Sequence, residues 1–149
     1  MIAAVREERT GRGMMDPHDW AVTVTKIHET CGVPLNDAAI ALDQAVAFVV
    51  AVAKRFEVAV EHIWPSEPVD QAWQVWRANP LQYSKIAPAA EAYVDRVAMT
   101  RAASVQDVIR TAELVQDAGF ALYREVWHGQ PGASSIGVVK ARLLKQASA

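Results

Sequence analysis

The feature that most constrains this fold is a 3-4 alternation of apolar residues that runs unbroken through two long stretches. The first stretch begins at Leu35 and ends at Ile63, and the second begins at Val105 and ends at Val126. A spacing of 3.5 residues places these side chains on one stripe of an α-helix, which packs against another helix as in a coiled coil. The pattern predicts an all-α helical bundle with these two helices as its central pair.

The same stripes predict which side chains form the core. Residues 45–53 of the first stretch carry no charge and are apolar on every side, so this helix is expected at the centre of the bundle or under a partner subunit. Gly119 takes an inward position of the second stretch and is interpreted as a packing notch. The side chains predicted to be almost fully buried are Leu42, Val46, Val49, Phe56, Val115 and Leu122.

Proline, glycine and capping residues predict the other helix boundaries. Asp16 and Pro17 are typical of a helix start, and Gly32 with Pro34 is typical of a helix end. Ser104 followed by Asp107 resembles a capping box. The predicted helices are a first over 17–31, a second from Asn36 or Asp37 to about Trp64, a short one with Val69, Trp73 and Trp76, a fourth from Pro88 with Val94 and Val97 inward, and a fifth over 105–129.

These elements predict one helical domain of four main helices plus short ones over residues 16–132. A flexible segment is expected over 1–15, and a basic tail with a weak helix over 133–149. Residues 81–88 are expected to form an irregular connection. A chain of 149 residues can bury a core without disulfide or metal support, and no β-type alternation predicts a strand.

Charge and cysteine content narrow the expected partners and location. The net charge of -2 gives no electrostatic reason to bind nucleic acid or an anionic membrane. The apolar run over residues 45–53 is shorter than the roughly 20 residues of a membrane-spanning helix, so no integral membrane association is expected. Cys31 is the only cysteine, and a cytoplasmic location is therefore expected.

Two residue pairs have the spacing of metal ligands. Glu125 and His128 have the Glu-x-x-His spacing of di-iron bundles, and His28 and Cys31 lie one turn apart on one helix. Neither pair has the further ligands that a site needs, so Cys31 is interpreted as a core residue. No metal, no cofactor and no catalytic residue is predicted, and a binding function is favoured over an enzymatic one.

The aromatic residues carry the strongest functional signal. Trp64, Trp73 and Trp76 surround two prolines, and such residues are enriched at binding hot spots, although a core role is the competing interpretation. Aromatic residues on the flank of the fifth helix exceed what one helix contact covers, which indicates another chain. The residues predicted to bind a partner are Trp64, Trp73, Trp76, Arg77, Tyr83, Phe120, Tyr123 and Trp127.

Two segments resemble known families. Residues 64–73 are similar to the Pro-Ser-x-x-Val-Asp-x-x-Trp-His motif of a glycine-rich-domain family of little-understood function, but Gln74 stands in place of the histidine. Residues 102–127 are similar in amphipathic character to the helical core of phasins, which coat polyhydroxyalkanoate granules. The second resemblance implies a coat protein on a lipid or polymer surface.

The sequence therefore predicts a non-enzymatic protein-binding or assembly protein, such as an adaptor, inhibitor or structural subunit. Its partner is expected to be another protein or a second copy of the chain. Two alternatives remain open, namely the phasin-like coat and a small-molecule-binding protein with a tryptophan-lined pocket.

Overall fold

The computed structural model describes residues 8–54, 63–86, 92–98, 104–132 and 137–143. Five α-helices lie in these ranges: α1 (Pro17–Cys31), α2 (Leu35–Lys54), α3 (Glu67–Arg77), α4 (Pro80–Ile86) and α5 (Val105–Asp117). Strands β1 (Ala92–Ala98) and β2 (Gly137–Leu143) form an antiparallel ribbon that pairs Ala92 with Leu143 and Ala98 with Gly137. The chain is mainly helical, which confirms the predicted all-α class, whereas the arrangement of four main helices is not confirmed.

Helix α2 lies at the centre of the structure. Every residue from 41 to 53 is buried, and α1, α3, α5 and the ribbon all pack against this helix. By length and composition, residues 35–53 are the one described stretch that resembles a membrane span, yet 72% of this stretch is buried inside the fold. Helix α2 therefore lies at the predicted central position, and other elements of the same chain cover it.

Four of the six predicted core residues are completely buried. Leu42, Val46, Val49 and Val115 each have 0% exposed surface, whereas Leu122 is half-buried. Phe56 lies outside the described residues. Burial of these residues is as predicted, but it does not single out one stripe, because every residue from 41 to 53 is buried and Leu35, the first member of the predicted stripe, is exposed.

The predicted capping residues begin and end the helices as expected in three places. The Asp16 carboxylate accepts hydrogen bonds from the backbone N–H groups of His18 and Asp19, and Gly32 ends α1 with a φ of 67°. Ser104 and Asp107 form a complete capping box at the start of α5. Local side-chain chemistry thus sets these boundaries.

The start predicted for the second helix needs correction, and Trp64, near which the helix was predicted to end, is not helical. The N–H of Ala38 donates to the carbonyl of Pro34 at 2.9 Å, so α2 begins at Leu35, before Asn36 and Asp37. Residues 63–65 are not helical, and residues 55–62 lie outside the described residues. The second helix therefore does not extend to Trp64.

Helix α5 ends at Asp117, twelve residues before the predicted Gly129. Gly119 has a φ of 92°, its N–H donates to the Gln116 carbonyl at 2.9 Å, and the Phe120 N–H donates to the Val115 carbonyl at 3.4 Å. This pair of bonds is the Schellman motif that ends helices at a left-handed glycine. A Cβ added to Gly119 would meet no atom within 4 Å, so the packing-notch interpretation is wrong.

The predicted fourth helix and the predicted tail helix are wrong, because each segment contains a strand. Val94 and Val97 lie in β1, and residues 137–143 form β2. Both strands are rich in β-branched valine, which fits a pleated surface, and their pairing joins segments about 45 residues apart. Residues 80–86 form α4 where an irregular connection was predicted.

The described part of the N-terminal segment packs against the domain, in contrast to the flexible segment predicted over 1–15. The N–H of Arg9 donates to the Gly119 carbonyl at 2.9 Å, and the N–H of Arg12 donates to Asp43 Oδ1 at 2.8 Å. Between them, the backbone of Gly11 touches α2 so closely that an added Cβ would lie 1.8 Å from the Asp43 carbonyl oxygen. Only glycine fits at this contact.

Replacing Gly11 by alanine is therefore expected to destabilise the fold. Gly11→Ala forces the N-terminal segment away from the α2 backbone, and the free energy of unfolding should fall by roughly 1–3 kcal/mol. Urea denaturation followed by circular dichroism measures this loss. Gly13→Ala is the matched control, because its added Cβ meets only the rotatable Thr10 hydroxyl, at 3.0 Å. Equal stability of the two variants would contradict the close contact.

Candidate functional site

The structure buries five of the eight residues predicted to bind a partner. Trp73 and Trp76 are 0% exposed, Phe120 is 1% exposed, and Trp64 and Trp127 are each 4% exposed. These rings are covered by the chain itself, so their burial supports the competing core interpretation.

Phe48 of α2 joins two of the buried tryptophans. Its ring meets Trp73 edge to face, with centroids 5.3 Å apart, and lies 6.4 Å from the Trp127 ring. Edge-to-face and tilted contacts of this kind stabilise aromatic pairs beyond their burial. Trp73 and Trp127 are thus packing partners of the central helix.

The other three predicted residues keep access to solvent. Arg77 and Tyr83 are half-buried, and Tyr123 is 39% exposed. The Arg77 guanidinium lies 4.8 Å from the Trp73 ring centroid, and the Tyr83 ring lies 4.7 Å from the Trp76 ring. Their role in partner binding stays a prediction, and the structure already gives Arg77 and Tyr83 neighbours within the chain.

A buried glutamine explains why the aromatic residues after α5 are covered. Gln44 is 0% exposed, and its Oε1 accepts hydrogen bonds from Trp127 Nε1 at 2.8 Å and from the Tyr123 N–H at 3.1 Å. Its Nε2 donates to the Ala121 carbonyl at 3.0 Å and to Asp43 Oδ2 at 2.9 Å. All four hydrogen-bonding positions of this amide are used.

This network removes the surplus surface on which the self-association prediction depended. Because α5 ends at Asp117, residues 120–127 fold back across α2, where Gln44 holds them. The Phe120 ring is covered by the Arg9 guanidinium, 4.4 Å from its centroid. Phe120 and Trp127 therefore need no second chain to leave water.

A cavity of about 310 Å³, open to solvent on one side, lies elsewhere in the fold. It is bordered by the end of α1, the start of α2, the start of α3 and the 3₁₀ turn Arg124–Val126. We call it the α1–α2 groove, and its volume is at the lower end of the range of known ligand cavities. Its apolar lining residues are Ile27, Val33, Ile40, Ala41, Pro68 and Val126.

The polar residues of the groove are Cys31, Asp37, Gln71 and Glu125. Asp37 lies in the first turn of α2, where the helix dipole favours a carboxylate. Asp37, Gln71 and Glu125 are exposed, and among the described residues no lysine, arginine or histidine lines the groove. The groove thus has an apolar floor and a rim with two negative charges.

Cys31 contributes a thiol to the wall of the groove. Burial raises the pKa of this thiol above its ordinary value, so it is protonated at neutral pH. His28, one turn earlier, holds its ring Nδ1 2.5 Å from the Val33 carbonyl oxygen, which accepts the hydrogen bond. The imidazole is thereby anchored to the backbone. Within the described ranges, no three His, Cys, Asp or Glu side chains are placed to hold a metal ion.

The groove differs from the pocket that the sequence suggested. None of the five tryptophans lines it, and none of the eight residues predicted to bind a partner does so. Glu125 and Cys31 do line it, although the sequence predicts no ligand site for Glu125 and a core position for Cys31. The groove lies next to the first turn of α2, where Leu35, Asn36 and Asp37 are exposed. The polar pair Asn36 and Asp37, at the start of an otherwise apolar helix, is the only sequence feature that indicates this solvent-facing end.

Comparison of the chain with protein-family models, with curated proteins and with solved structures finds no match. The resemblances of residues 64–73 and 102–127 to known families therefore receive no support from whole-chain comparison. Helix α5 ends at Asp117, so the amphipathic segment over residues 102–127 that resembles phasins does not form one continuous helix.

The raised pKa of Cys31 predicts slow alkylation of this thiol. Maleimides react with the thiolate, so the rate of modification by N-ethylmaleimide should rise with pH around a midpoint above the ordinary value of 9.0. Because Cys31 is the only cysteine, intact-mass spectrometry follows this reaction directly. The same chain unfolded in urea is the control and should show a lower midpoint. Coinciding pH profiles would contradict the burial of the thiol.

Proposed function

We propose that this chain is a non-enzymatic binding protein, and that the α1–α2 groove receives a segment of another protein. The observation that carries this proposal is the combination of an apolar floor with an opening to solvent. Six apolar residues line the floor, five from α1, α2, α3 and the α1–α2 connection and one, Val126, from the 3₁₀ turn after α5. A concave, mostly apolar site with a few polar groups at its edge is typical of binding sites.

The walls of the groove are held in place by the surrounding structure, which favours binding. The Ser66 hydroxyl donates to the Val126 carbonyl, and the Glu67 N–H donates to the Gln130 carbonyl at 3.0 Å. These bonds join the start of α3 to the segment that contains Val126. A preformed site loses less conformational entropy when a partner enters, so more of the contact energy appears as affinity.

The chemistry of the groove supports binding over catalysis. The Cys31 thiol has a raised pKa and is protonated at neutral pH. A nucleophilic cysteine needs a lowered pKa or an adjacent base. Asp37 and Glu125 are exposed to solvent, where carboxylates are suited to attracting a charged partner.

A small-molecule ligand is the second candidate for the same groove, and its volume of about 310 Å³ favours it. The coat-protein alternative has less support, because the apolar surface of α2 from residue 41 to 53 is covered by the chain itself. Self-association would depend on exposed apolar side chains such as Leu81, which is 80% exposed.

Selection from a displayed library of random twelve-residue peptides tests the proposal. The immobilised full chain should enrich peptides that bind at the groove. The variant Gln71→Trp places an indole at the opening, since Gln71 is an exposed lining residue. Enriched peptides should lose at least roughly tenfold in affinity for this variant, as expected when the main apolar contact is blocked.

Gln116→Trp is the matched control, because Gln116 is exposed on α5 and does not line the groove. The enriched peptides should bind this variant as they bind the original chain. Circular dichroism establishes that both variants are folded. If no peptide is enriched, or if Gln71→Trp binds the peptides as well as Gln116→Trp does, the groove is not a docking site for a protein segment.

A further inference from the structure

We propose that the segment received by the α1–α2 groove carries an aliphatic side chain next to a lysine or arginine. This inference rests on the proposed function and adds the chemistry of the partner. It follows from the placement of Asp37 and Glu125 at the rim of an apolar cavity.

The floor of the groove selects an apolar side chain. Ile27 is 1% exposed and Ala41 is 6% exposed, so these two form a deep part of the wall, whereas Ile40 is half-buried and lies nearer the opening. The apolar residues that line the groove in the described part of the chain are all aliphatic. An aliphatic side chain placed there removes apolar surface of both partners from water.

The rim selects a positive charge beside that side chain. Asp37 belongs to α2 and Glu125 to the 3₁₀ turn after α5, so two separate elements each contribute an exposed acidic residue to the lining of the groove. The other polar lining groups, the Gln71 amide and the protonated Cys31 thiol, are neutral. Arg124 is exposed next to Glu125 in sequence but does not line the groove.

The helix dipole of α2 offsets only part of this negative charge. A helix N-terminus contributes about half a positive charge, against the two carboxylates of Asp37 and Glu125. A lysine or arginine at the rim is therefore attracted, and an aspartate or glutamate is repelled. Because both carboxylates are exposed, water and salt weaken each pair, so the rim contributes more to selectivity than to affinity.

Protection of Cys31 from alkylation tests this selectivity, since the thiol lies in the groove and is the only one in the chain. Two capped eight-residue probe peptides share one pattern of leucine, glycine and serine, and differ only in carrying two lysines or two glutamates. The lysine peptide should slow modification by N-ethylmaleimide at roughly tenfold lower concentration than the glutamate peptide. The difference should shrink at 1 M salt, where the Debye length falls to about 3 Å.

Charge reversal at the rim supplies the matched variants. Glu125→Lys should abolish the preference for the lysine peptide, because it replaces one of the two negative charges of the opening. Glu113→Lys changes the net charge equally on an exposed site of α5 outside the groove, and should keep the preference. An unchanged preference in Glu125→Lys, or equal loss in both variants, would overturn the inference.

The outcomes separate this inference from the proposed function. If both peptides protect Cys31 equally, the groove receives a protein segment without selecting its charge, and only the inference fails. If neither peptide protects Cys31 at any concentration tested, the proposed docking site fails as well. Protection by free leucine amide but by neither peptide would indicate a small-molecule site and would also overturn the inference.

Discussion

The structure depends on the complete burial of one helix. Residues 41–53 of α2 are all buried, so the rest of the chain must surround nearly all of their surface. The apolar side chains of this helix can be buried without hydrogen-bond partners. Asp43 and Gln44 lie on the same buried helix, and their polar groups need such partners. Asp43 accepts from the N–H of Arg12, and Gln44 bonds to the backbone of Ala121 and to Trp127. Two polar side chains thereby determine where the N-terminal segment and the segment after α5 lie.

The same constraint explains the position of the groove. The cover over α2 is complete from residue 41 onward, whereas residues 35–37 are exposed and residues 39 and 40 are half-buried. The groove opens at this transition, and Asp37, Ile40 and Ala41 all line it. A cavity at the point where the cover of a central helix ends has an apolar floor, because it is continuous with the core. Its rim is polar because the first turn of α2 faces solvent.

Features encoded by neighbouring residues could be predicted from the sequence. Asp16, Gly32 and the Ser104–Asp107 capping box act within one turn, and the stripe of α2 reflects burial of a regular helix. The end of α5 was missed because the 3-4 pattern of apolar residues continues past Gly119, where the backbone leaves the helix. The ribbon could not be predicted because its two strands are separated in sequence by α5. Each strand is stabilised by pairing with the other, and neither sequence segment identifies its pairing partner.

The candidate site was harder to predict than the core. Aromatic residues are frequent both in cores and at binding sites, and composition does not separate the two, so Trp73 and Trp127 could be predicted at a binding surface although both are buried in the fold. Gln44, directly before the apolar run over residues 45–53, was a more useful indication. An amide buried in such a helix must find hydrogen-bond partners elsewhere in the chain, which predicts that another segment packs against it. The groove itself joins residues from α1, α2, α3 and the turn at Glu125, and only their packing brings them together.

Hydrogen exchange of the Trp127 indole N–H, followed by NMR, tests the central claim most directly. If Gln44 holds residues 120–127 against a helix that is buried on every side, this proton is released only when α2 itself unfolds. The free energy of its exchange should then equal that of the slowest backbone amides of residues 41–53. Exchange of the indole proton within minutes, while those amides stay protected, would show that the segment opens independently of α2 and would contradict the account.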